Sequence, residues 1–225
     1  MPWPVLLVLS AAAAFLVATD DTLRAQPRVE RGFTTAVSER LIQAYSQRFG
    51  AAARGRLEAW KRYAAEHKGS PAAERALLVD VNRTLNRIRF VDDLSHWGQA
   101  DYWATPAESI ASDGADCEDF AIAKYFLLKE LGVPVSRLRM TYVKAAKINQ
   151  AHMVLAYYPR PDAVPLVLDN LEDAVRPASQ RQDLVPVYSF NDEELWVELR
   201  GLSGSPRQIR NWNLLLERLE RELRT

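Results

Sequence analysis

The chain has 225 residues and a mass of 25.5 kDa, with 48% apolar and 26% charged residues, which excludes a disordered tail, a collagen-like fibre and a low-complexity scaffold. Lys and Arg number 29, as do Asp and Glu, and this zero balance gives no general attraction to nucleic acid or to an anionic membrane. The single cysteine, Cys117, excludes an intramolecular disulfide, a CxxC redox pair and a multi-cysteine zinc site.

Residues 5–18 (VLLVLSAAAAFLVA) form an uncharged apolar run, too short to span a bilayer comfortably but of the length of a secretory signal core. No Lys or Arg precedes it, and the alternative is an N-terminal membrane anchor. Residues 1–25 are read as signal peptide or anchor and residues 33–225 as one mature domain. Export would leave Cys117 as a free thiol in an oxidising compartment.

Residues 34–89 have helical composition. Leu41, Ala44, Tyr45 and Phe49 recur at three- and four-residue steps, as do Leu57, Trp60, Tyr63 and Ala64. The run Lys68-Gly69-Ser70-Pro71 ends that stretch and starts another helix to Arg89. From 90 to 114 the periodicity vanishes, and Trp97, Tyr102 and Trp103 sit among polar residues (DDLSHWGQADYWATP). Aromatic residues in so long an irregular segment point to a ligand- or partner-binding loop; an aromatic-packed surface loop is the alternative.

Residues 116–131 (DCEDFAIAKYFLLKEL) predict a helix ending at Gly132. Residues 138–143, 152–158 and 166–169 predict strands, and 196–199 a short one. Ser205-Pro206 opens a final helix with Ile209, Trp212, Leu216 and Leu219 on one face. Helices first and strands later predict an α+β fold.

Cys117 falls in the first turn of its helix, where free N–H groups favour a thiolate. Asp116, Glu118 and Asp119 oppose that charge. A histidine partner, a neutralising cation or an inert buried thiol would each resolve the conflict. Of three histidines, His67 lies beside Lys68 at a helix end, His96 lies in the aromatic segment, and His152 opens a strand. A hairpin with loop 159–162 would pair Tyr158 with Ala163 and set His152 directly opposite Asp169, about 5 Å apart at Cβ. A one-residue slip would break that pairing.

Cysteine at a helix start followed by His and Asp on successive strands is the order of papain-like and transglutaminase-like enzymes. The blocks DGADCEDFAIAKYFLLKELGVP, AHMVLAY and LVLDN, with WGQADYWATPAES upstream, resemble the bacterial transglutaminase-like cysteine peptidases, and within them the periplasmic adhesin proteases of the LapG type. The resemblance covers about half the chain. It implies a papain/transglutaminase-like core, a nucleophile helix packed on an antiparallel sheet, with helical flanks. It places a catalytic triad on Cys117, His152 and Asp169, and a Ca2+ site on Asp116 and Glu118, with further ligands such as Asp119 needed. It implies cleavage of a large surface adhesin near its N-terminus at an Ala-Ala site, release of biofilm cells, and restraint by an inner-membrane cyclic-di-GMP receptor. The Cys117 backbone N–H would serve as one oxyanion donor, with Trp97 or Gln99 as a second. Two other readings stay open: a transglutaminase or amidase with the same triad, and a non-catalytic binding module with Cys117 buried.

Overall fold

The computed structural model describes residues 37–69, 74–197 and 202–225. The apolar run at 5–18 and the helix restart at Ser70-Pro71 lie outside them. No described helix is long and apolar enough to cross a membrane.

Among the described residues three helices come first: α1 (Glu39–Phe49), α2 (Ala52–His67) and α3 (Glu74–Leu85). Ser38 caps α1 by accepting from the Leu41 N–H at 3.0 Å. Gly50, at φ +89°, separates α1 from α2, a break that the continuous helical composition does not reveal.

The expected irregular segment at 90–114 instead holds two short helices, α4 (Asp93–Trp97) and α5 (Pro106–Ser112). The cause of α5 is local. Thr105 accepts from the Glu108 N–H at 3.1 Å, Glu108 accepts from the Thr105 N–H at 3.0 Å, and Pro106 opens the helix. Helix α6 (Cys117–Glu130) follows and is buried on nearly every side.

Among the described residues seven strands form one antiparallel sheet: β1 (Leu138–Ala145), β2 (Gln150–Tyr157), β3 (Leu166–Leu168), β4 (Arg176–Pro177), β5 (Leu184–Phe190), β6 (Leu195–Val197) and β7 (Leu202–Gly204). Their order is β4-β3-β2-β1-β5-β6-β7. Helix α7 (Arg210–Arg224) closes the fold.

The core lies between α6 and one face of the sheet. Leu138, Met140, Met153, Leu155 and Leu168 meet Ile122, Tyr125, Phe126 and Leu128 there. Val143, Val154 and Val167 form a smaller cluster on the other face. The protein is therefore an α+β domain with helical flanks, as the element order predicts.

The β2–β3 hairpin differs from the expected register. Leu155 pairs with Leu168 and Tyr157 with Leu166, so the connection is longer than four residues and the register is two residues away. A two-residue slip preserves the face, because side chains alternate with period two. Extended by one step, this register sets Asp169 opposite Val154, diagonal to His152 on the same face.

Candidate active site

Asp116, in extended backbone conformation, breaks the chain ahead of α6, and Asp119 accepts from its N–H at 3.4 Å. This fixes Cys117 as the first helical residue. Its thiol donates to Glu118 Oε2 at 3.2 Å. Burial first, then the negative charge of Glu118 and Asp116, pushes the thiol pKa far up, while the Met153 backbone N–H favours the anion. Met153 follows His152 directly, so the start of β2 lies against the start of α6.

His152 is 3% exposed and Asp169 is 1% exposed. His152 Nε2 and Asp169 Oδ1 are 2.8 Å apart, which leaves Nδ1 as the ring nitrogen not engaged by Asp169. Burial opposes ionisation of Asp169. The His152 bond and charge, the Leu171 N–H and Arg181 overcome it and hold the carboxyl down at about 2.

Arg181 is a component that sequence reasoning missed. It donates through Nη2 to Asp169 Oδ2 at 2.7 Å, and its side chain is only 7% exposed. Its position in a polar, proline-containing segment gave no signal. The other histidines are placed elsewhere. His96 packs against Gly114 with Nε2 2.9 Å from Ser112 Oγ, and His67 stacks on Tyr63 at 4.1 Å.

Acidic side chains gather beside Cys117. Oxygens of Asp93, Asp116 and Asp119 lie within 4.8 Å of one another, as do those of Asp93, Asp101 and Glu118. Burial, reinforced by mutual repulsion, raises the carboxyls of Asp93, Glu118 and Asp119 and brings Asp116 up to about 7. Asp93 Oδ1 and Asp116 Oδ1 are buried without a hydrogen-bond partner. Unpartnered buried carboxylate oxygens in a hard-oxygen cluster fit a divalent cation such as calcium. Asp116 falls in the first group together with Asp119, which the sequence offered as a further ligand, and Glu118 in the second; Asp93, common to both, and Asp101 are the residues that sequence reasoning did not single out. The run Asp92-Asp93 in the aromatic segment was the one sequence signal for Asp93.

The three aromatic residues separate. Trp103 is 6% exposed and stacks on Phe190 at 5.8 Å, so it is a core residue and not part of an open loop. Tyr102 is half-buried, donates to Glu108 at 2.9 Å and carries the Arg218 guanidinium 4.4 Å over its ring. Trp97 is half-buried against Tyr102 at 5.0 Å and Phe49 at 6.0 Å.

Residues 54–203 match the sequence model of the family described as bacterial transglutaminase-like cysteine proteinase BTLCP. No curated protein matches the chain. Among solved structures, EGTA-treated LapG of Legionella pneumophila is 41% identical over 79% of this chain and 95% of that one, with a TM-score of 0.70. The calcium-bound form of Legionella pneumophila LapG is 41% identical over 79% and 97%, with a TM-score of 0.68. A match over most of the folded domain, with this structural similarity, establishes that the chain belongs to the bacterial transglutaminase-like cysteine proteinases.

Proposed function

We propose that the protein is a calcium-dependent cysteine endopeptidase of the periplasm, with Cys117, His152 and Asp169 as its triad. The observation that carries this reading is the buried His152–Asp169 pair, 2.8 Å apart, with the Met153 N–H that follows His152 favouring the Cys117 anion. Likeness to the LapG structures supports it.

In this mechanism the Cys117 thiol passes its proton to His152 Nδ1, and the sulfur attacks the scissile carbonyl. His152 returns the proton to the leaving amine as the carbon–nitrogen bond breaks. Water, deprotonated by His152, then releases the acyl group from sulfur. Asp169 holds the imidazole by Nε2, fixing its tautomer and stabilising the imidazolium. The Cys117 backbone N–H, at a helix start, faces the developing oxyanion.

Asp93, Asp101, Asp116, Glu118 and Asp119 would hold calcium. When bound, the ion supplies positive charge that offsets the acids now opposing a thiolate.

The proposed substrate is the N-terminal region of a large surface adhesin, cut at an Ala-Ala site to release biofilm cells. The proposed restraint is an inner-membrane cyclic-di-GMP receptor. With Trp103 in the core, its docking falls to the accessible parts of Trp97 and Tyr102.

The test is incubation of an adhesin fragment with the enzyme, calcium and a labelled amine, followed by mass spectrometry. Clipping at the Ala-Ala bond without amine incorporation, lost in Cys117→Ala, is the expected result. Amine incorporation without clipping would replace hydrolysis by acyl transfer. Equal clipping by Cys117→Ala would remove the mechanism.

A further inference from the structure

We propose that Arg181 is a positioning residue for the proposed triad: it fixes the Asp169 carboxylate so that one oxygen faces His152. The inference rests on the reading of Cys117, His152 and Asp169 as catalytic.

Both oxygens of Asp169 are committed. Oδ1 accepts from the Leu171 N–H at 3.0 Å and lies 2.8 Å from His152 Nε2. Oδ2 accepts from Arg181 Nη2 at 2.7 Å. A carboxylate held at one oxygen alone could rotate about its Cβ–Cγ bond. Held at both, it presents Oδ1 to the imidazole in one orientation.

Arg181 is itself anchored. Its Nε donates to Asp183 Oδ1 at 3.1 Å and its Nη2 to Asp183 Oδ2 at 3.1 Å. Its Nη1 lies 3.8 Å from Glu172 Oε2. Its backbone is fixed at both ends, from Arg181 N–H to the Ala178 carbonyl at 3.0 Å and from Leu184 N–H to the Arg181 carbonyl at 3.0 Å. The planar guanidinium engages Asp169 and Asp183 together, which a single ammonium could not do in the same geometry. Burying such a pair stabilises a fold little compared with packed apolar groups of the same volume. Holding a geometry explains its presence better.

The charges around the pair also point to Arg181. Lys124, on α6, is 1% exposed and interacts with Asp169 and Asp173. Burial pushes its ammonium down to about 7 against those two acids, so it is not a permanent cation near neutral pH. Asp183 and Glu172 surround the guanidinium, Asp173 lies beside Asn86, and Asn86 is neutral, donating to the Asp169 carbonyl at 2.9 Å. Arg181 is thus the constant positive charge on Asp169.

The experiment measures kcat and KM for cleavage of an adhesin fragment, with folding checked by chemical denaturation. In Arg181→Gln, kcat should fall about 10–100-fold, with KM within about two-fold. Arg181→Lys should also lose kcat, because the fork is gone. An unchanged kcat in folded Arg181→Gln, or a parental kcat in Arg181→Lys, would overturn the proposal. Should Arg181→Gln not fold, Asp183→Asn decides: its kcat should fall with KM constant, and a parental kcat would overturn the proposal. Cleavage by Cys117→Ala would instead overturn the hydrolase reading, so the two failures are distinguishable.

Discussion

The Cys117 thiol donates its hydrogen bond to Oε2 of the next residue, Glu118, at 3.2 Å. The acid neighbour thereby holds the proton that the chemistry must remove, and burial adds to the effect. Drawing Glu118 toward a cation would free the thiol. Excess chelator is therefore expected to suppress both cleavage and alkylation of Cys117 by iodoacetamide near pH 7, and calcium to restore both. Asp116→Ala with Glu118→Ala should lose calcium-stimulated cleavage while Cys117 remains present. Full cleavage by protein shown by metal analysis to be calcium-free would exclude the ion from the mechanism.

Cys117→Ala, His152→Ala and Asp169→Asn should each lower kcat/KM by about 10³-fold or more, and double variants should be little worse than singles. Asp169→Ala should also destabilise the fold by about 3 kcal/mol, because it leaves the Arg181 charge buried without its partner at 2.7 Å. Kinetics with chemical denaturation separates the two effects.

Trp103 and Trp97 should behave oppositely. Trp103→Ala removes a ring stacked on Phe190 in the core and should cost about 3–5 kcal/mol. Trp97→Ala removes a half-buried ring and should cost clearly less, while weakening capture by the proposed receptor. Thermal melts beside receptor pull-down test the pair; equal stability losses would contradict this division.

Two acids outside the acidic cluster act on stability with opposite sign as pH changes. Asp169 is held at about 2, below its ordinary 3.8. Its contribution is present above about pH 4 and disappears as pH falls toward 2, about 2 kcal/mol in all. Glu222 is raised to about 8 by burial, against bonds from Thr105 and Tyr45 and with Glu108 adding to the rise. Its contribution is complete below about pH 4.5 and is lost as pH rises to 8, by up to about 1.4 kcal/mol per pH unit. Glu222→Gln should lessen the alkaline decline, to which the raised carboxyls of Asp116, Glu118 and Asp119 also contribute in chelator, and leave the acid limb unchanged. Urea denaturation from pH 2 to 9 in chelator measures both.

Much of the site is written locally. The acids around Cys117, the helix they start and the strand that carries His152 follow from spacing, and so does the shared face of His152 and Asp169. The register itself was two residues off, because the 158–165 connection is set by loop conformation and not by the strands' apolar pattern. The Thr105–Glu108 capping box with Pro106 was a legible helix start hidden by the aromatic residues around it. Trp103 looked exposed because its neighbours are polar, yet its ring faces Phe190, far along the chain. Asp93, Asp101 and Arg181 reach the site only through tertiary packing, and no window of sequence containing Cys117 holds them.

Helix α7 is tied to the segment that carries Asp101. Asn211 donates to Asp101 Oδ2 at 2.7 Å, Arg218 donates to the Trp103 carbonyl, and Thr105 donates to Glu222 Oε1 at 2.6 Å. Docking of these fifteen residues and placement of Asp101 are coupled. By reciprocity, an ion bound at the proposed site through the ordered Asp101 must also protect α7 from fraying, and a protease acting on α7 would read out metal occupancy.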